Sequence, residues 1–66
     1  MSPKRQVESP KDIAKRLIAE GWTKRKGKGD HRNFVKDGRL VTLDMGRREI
    51  PIGTLRSVYR QAGWEW

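Results

Sequence analysis

The dipeptide Asp37-Gly38 commits the middle of this chain to a turn. An Asp-Gly pair between two runs of strand-forming residues is a strong signal for a two-residue hairpin. Downstream, Arg39-Leu40-Val41-Thr42-Leu43-Asp44 is the most convincing strand in the sequence. Upstream, residues 31–36 contain Phe34 and Val35. Before them, Gly27-Lys28-Gly29-Asp30 is a second turn signal, preceded by the weakly alternating run Trp22-Thr23-Lys24-Arg25-Lys26. Together these segments predict a three-stranded antiparallel meander over about residues 22–45. Three strands need something to cover one face before they are stable.

The flanks supply that cover. At Ser9-Pro10-Lys11-Asp12 the signals turn helical. Serine suits the N-cap, proline the first helical position, and an acid at the third faces the positive end of the helix dipole. Ile13, Ala14, Leu17 and Ile18 then recur at helical spacing as one apolar stripe, and Gly21 follows as the natural stop. After a charged connection, Pro51 marks the approach to a second helix. There Leu55, Val58, Tyr59 and Ala62 recur at i, i+3, i+4 and i+7, ending at Gly63. Trp64 and Trp66 form an aromatic tail, expected to cap the core rather than stack on bases. Residues 1–8, with Pro3, Lys4 and Arg5, read as a flexible basic arm, and residues 9–66 as a single domain. The expected class is α+β: a small α-β-β-β-α domain, a three-stranded antiparallel sheet with two helices on one face. That is the plan of double-stranded-RNA-binding domains, which read duplex shape through phosphates and 2′-hydroxyls.

Charge narrows the partner. Sixteen lysines and arginines against eight acids give +8 on 66 residues. A domain this basic faces a polyanion, either nucleic acid or an acidic protein. The cations are spread along the chain rather than massed opposite one apolar helical face, which argues against a membrane surface. There are no cysteines and one histidine, which excludes disulfides and thiolate metal sites and argues against zinc. No apolar run approaches the ~20 residues of a membrane span, and no signal-peptide pattern opens the chain. The expectation is a soluble, cytoplasmic protein without a cofactor.

The lone histidine, His31, follows the second turn. Lys24, Arg25, Lys26, Lys28, Arg32 and Lys36 crowd it in sequence. An imidazole in such surroundings suits acid–base chemistry on a phosphate ester; the plainer alternative is a polar residue at a strand edge. Alternation puts His31, Asn33 and Val35 on one face, and Arg32, Phe34 and Lys36 on the other. Phenylalanine buries more area than valine, so Phe34 is expected to enter the core and His31 to face outward.

These residues carry a resemblance. A helix ending in Leu-x-x-x-Gly-Trp (Leu17 to Trp22) is followed by a basic strand and Gly-Asp-His-x-x-Phe (Gly29 to Phe34). A hairpin and then Ile-Pro-Ile-Gly-Thr-Leu-Arg-Ser-x-x-x-Gln-Ala-Gly (Ile50 to Gly63) complete the pattern. The whole resembles the HicA toxin family over roughly residues 10–63, most specifically in residues 51–57 and 61–63. The resemblance implies the toxin of a type II toxin–antitoxin system: a ribosome-independent mRNA endonuclease with one essential histidine, here His31. It also implies a HicB-like antitoxin that covers the active site. Two features depart from the pattern. Many relatives carry Pro-x-His at the end of the third strand, where this chain has Thr42-Leu43-Asp44-Met45-Gly46, and no second histidine follows His31, since Arg32 stands there.

RNA supplies its own nucleophile, the 2′-hydroxyl, so such an enzyme needs a base, an acid and cations rather than a metal. A neutral His31 suits the base. Lys28, Arg32, Lys26 and Lys24 are the expected phosphate-binding residues, Gly29 shapes the turn, and Asp30 either orients the loop or ring or simply belongs to the turn. Two rivals use the same surface: a non-catalytic RNA- or DNA-binding module of the same fold, and a component acting only through protein binding.

Overall fold

The computed structural model of the chain describes residues 7–66; of the arm expected over residues 1–8, residues 1–6 lie outside them. The order is α1 (Pro10–Ala19), β1 (Thr23–Lys26), β2 (His31–Lys36), β3 (Arg39–Asp44) and α2 (Ile52–Ala62). The strands form one antiparallel sheet in the order β1-β2-β3. This is the α-β-β-β-α architecture expected from the sequence.

Local chemistry sets the boundaries of each element. Ser9 Oγ accepts the Asp12 N–H at 3.1 Å and caps α1, with Pro10 at its first position. At Asp37 and Gly38 both φ values are positive, +50° and +80°. That is the backbone of a two-residue type I′ turn, whose twist matches the strands it joins. The turn sets Lys36 opposite Arg39, and every later pair of β2 and β3 follows, through Phe34–Val41 to His31–Asp44.

The core lies between the helices and one face of the sheet. Ile13 and Leu17 of α1, Phe34, Val41 and Leu43 of the sheet, and Leu55, Val58, Tyr59 and Ala62 of α2 are buried there with Trp22 and Ile50. Phe34, Leu17, Val41 and Leu55 have no exposure at all. Phe34 therefore enters the core, as its area predicts. The apolar stripe of α1 is narrower than its spacing suggests. Ile18 is 50% exposed and Ala14 only partly covered, because the sheet edge beneath that flank, β1, presents Lys24 in place of an apolar side chain.

Both ends of the described chain are tied down. The Ile50 N–H donates to the Glu8 carbonyl at 2.8 Å, and the Tyr59 hydroxyl donates to the Glu8 carboxylate. At the other end, Trp64 and Trp66 pack edge-on against the Tyr59 ring, 5.2 and 5.1 Å between centroids. The Trp64 indole N–H donates to Glu20 at 2.7 Å, and the Arg16 guanidinium lies 3.9 Å from the Trp64 ring centroid. The aromatic tail thus covers the core. The Trp64 hydrogen bond holds the Glu20 carboxyl below its ordinary value; desolvation opposes it, and the Arg16 hydrogen bond and the Arg16 and Lys36 charges add to the lowering.

Candidate active site

The sheet has a covered face and an open one. Pairing puts Lys24 opposite Phe34 and Lys26 opposite Arg32, so Lys24, Lys26 and Arg32 lie on the side of the core. His31, Arg25, Asn33, Thr42 and Asp44 lie on the other. Strand alternation therefore separates three of the four expected phosphate-binding residues from the histidine. Lys24 and Arg32 line a groove of about 490 Å³ beside α1, with Ala14, Ile18 and Met45. Lys28, in the β1–β2 turn, stays next to His31.

That turn is built to hold the imidazole. The Gly27 N–H donates to the His31 carbonyl at 3.0 Å, and the His31 N–H donates to the Lys28 carbonyl at 3.0 Å. Gly27 permits this approach: a Cβ there would stand 2.8 Å from the His31 carbonyl oxygen. Gly29 turns the chain at φ +61°. Arg32 Nη1 donates to the carbonyls of His31 at 2.9 Å and Gly29 at 3.3 Å, so its guanidinium braces the turn from the covered side. Asp30 is a turn residue, as one of its two sequence readings has it. Its carbonyl accepts the Met45 N–H at 2.9 Å, and among the described residues its carboxylate has no hydrogen bond to the imidazole.

The His31 ring is exposed but not free. Nδ1 lies 3.1 Å from the Lys28 carbonyl oxygen. A carbonyl only accepts, so Nδ1 carries a proton here, and in the neutral ring Nε2 then holds the lone pair. A neutral imidazole held this way has one basic nitrogen, and its orientation is fixed.

Because Met45 donates to Asp30, the neighbouring pair His31–Asp44 is of the non-hydrogen-bonded kind, in which facing side chains come closest. Asp44 Oδ1 accepts the Gly46 N–H at 3.0 Å, and Oδ2 accepts from Arg47 Nε at 3.3 Å. His31, Thr42, Asp44, Arg47, Pro51 and Thr54 line one cavity of about 340 Å³ between β3, the 45–51 connection and the start of α2. The signal for Asp44 was the two-residue hairpin, which fixes the register. For Arg47 there was none beyond its charge. No cluster of three or more His, Asp or Glu side chains suited to a metal ion occurs among the described residues. None of the described helices is long and apolar enough to cross a membrane.

The chain is thus a small basic α-β-β-β-α domain with its one imidazole exposed on the open sheet face and a cavity beside it. The family model described as HicA toxin of bacterial toxin-antitoxin matches residues 10–64. The chain belongs to the HicA toxin family, which gives it a toxin role within a toxin–antitoxin pairing. No curated protein matches the sequence.

Proposed function

We propose that this protein is an endoribonuclease that cleaves mRNA with His31 as its general base, neutralised by a HicB-like antitoxin that covers the site. The observation that carries the reading is the ring contact: Nδ1 donates to the Lys28 carbonyl, and Nε2 is left as the one basic nitrogen on an exposed face. The net charge of +8 supplies attraction for RNA.

In this reading Nε2 takes the proton of the 2′-hydroxyl. The 2′-oxygen forms its bond to phosphorus as the bond from phosphorus to the 5′-oxygen breaks, and water protonates the leaving oxygen. The products are a 2′,3′-cyclic phosphate and a 5′-hydroxyl, with no metal in the step. Lys28, whose carbonyl holds the ring, adds its charge to the attraction for the phosphate. One imidazole does not serve both sides of an in-line displacement, so turnover is slow.

Inducible expression of wild type and His31→Ala tests this, with growth, mRNA integrity and RNA binding measured. The variant should lose growth inhibition and about 10²–10⁴ in cleavage rate while keeping most of its RNA affinity. A 2′-deoxy substitution at the cleaved position should block the wild type. If His31→Ala still cuts RNA, the assignment is wrong.

A further inference from the structure

We propose that Arg47 is a catalytic residue of the His31 site, holding the phosphate under attack, with Asp44 as its positioning residue. The inference rests on the nuclease reading and names a contact within it.

The negative charge that develops on phosphorus-bound oxygens needs a donor on the same side of the sheet as the base. Among the cations near His31 in sequence, Arg25 shares its face and Lys28 its turn, but neither lines the cavity beside the ring. Lys24 and Lys26 lie on the covered side of the sheet, and the Arg32 guanidinium is spent on two backbone carbonyls. Arg47 meets the need. It lines the same cavity as His31, and its side chain is 60% exposed. Among the described residues its one partner is Asp44, bound through Nε. That leaves the two Nη groups, the ends of a planar fork suited to phosphate oxygens, available to a ligand.

Asp44 explains why Arg47 would be ready rather than merely nearby. Its carboxylate is fixed at one oxygen by the Gly46 N–H, which leaves the other to hold the guanidinium. Asp44 also faces His31 across the closest kind of antiparallel pair. The base and the cation are thereby referred to one residue at the end of β3. A cavity of about 340 Å³ is of the size of a single nucleotide unit, and Thr42 and Thr54 supply further hydroxyls on its wall.

The test uses the purified full chain and a labelled mRNA transcript, in single-turnover cleavage. Dissociation constants are measured in the inactive His31→Ala background. Arg47→Ala should slow cleavage about 100-fold, the cost of losing one donor to developing negative charge, and weaken binding by a much smaller factor. Arg47→Lys, which keeps the charge and loses the fork, should restore binding but not the full rate. Asp44→Asn should slow cleavage in the wild-type background and have no further effect beside Arg47→Ala. Arg48→Ala, an equal charge change outside the cavity, should leave the rate unchanged. Equal losses of rate and affinity in Arg47→Ala would reduce the residue to general attraction and overturn the proposal, as would a wild-type rate. If the wild type does not cleave, the nuclease reading itself fails; if His31→Ala cleaves normally, the His31 assignment fails; if only Arg47→Ala does, both stand and this inference falls.

Discussion

The two faces of the sheet are drawn from the same strands and share much of the same chemistry, yet they do different work. On the covered face, Phe34, Val41 and Leu43 lie under the helices, and Lys24, Lys26 and Arg32 are pushed to the rim. On the open face, His31, Asn33, Thr42 and Asp44 stand within reach of solvent, with Asn33 and Thr42 hydrogen-bonded to each other at 2.8 Å. Neighbours in sequence are opposites in space. The density of cations around a histidine therefore says little about which of them share its site; the period of two decides that.

Phe34 and His31 break this comparison most sharply. Phe34→Ala should cost about 3–5 kcal/mol, comparable to all that a core of this size supplies. The variant should be unfolded by circular dichroism and denaturant titration. His31→Ala, three residues away, should leave the melting temperature within a few degrees while removing activity. A destabilised His31→Ala would mean that the imbalance between the faces has been overdrawn. Gly27→Ala joins the two effects. Its Cβ meets a backbone oxygen that cannot move alone, so the β1–β2 ladder must part, at about 1–3 kcal/mol. Cleavage should fall along with the midpoint.

Smaller charge changes sharpen the same contrast. Arg25→Ala on the open face should weaken RNA binding and take about one unit from the salt slope. Lys26→Ala, one residue on and on the other side, should change both less; the reverse order would place RNA on the covered side. The smallest effect belongs to Glu20. Its folded-state pKa lies below the ordinary 4.5, chiefly through the Trp64 hydrogen bond. The stabilisation is therefore present above about that value and lost as pH falls through the lowered pKa. Melting curves from about pH 6 down to about pH 2 should fall less steeply for Glu20→Gln than for wild type.

Much of this was legible in advance because each element carries its own local signals. The serine cap and Pro10 begin α1, Asp37-Gly38 closes the β2–β3 hairpin, and the spacing of Leu55, Val58, Tyr59 and Ala62 gives the buried face of α2. Even the pairing of His31 with Asp44 was implicit, since a two-residue turn fixes every later pair. The width of the α1 stripe was not legible. Ile18 is apolar and correctly spaced, but whether it is buried depends on which residue β1 places beneath it. Glu8 is another such case. It reads as part of a polar arm, yet its backbone and side chain are held by Ile50 and Tyr59, far along the chain.

The histidine marks the same boundary at the site. The sequence by itself determined that the chain has one imidazole, that it follows a glycine turn and opens a strand, and that it shares a face with Asn33 and not with Phe34. Those are properties of neighbours and of the strand period. Only the tertiary structure decided that Nδ1 is held by the Lys28 carbonyl, that the β1 register sets Lys24 and Lys26 on the same side as Arg32, and that Arg47 stands on the same cavity wall. The reason is physical: hydrogen-bond geometry and shared cavities depend on how β3, the 45–51 connection and α2 close on one another, and no local pattern encodes that closure.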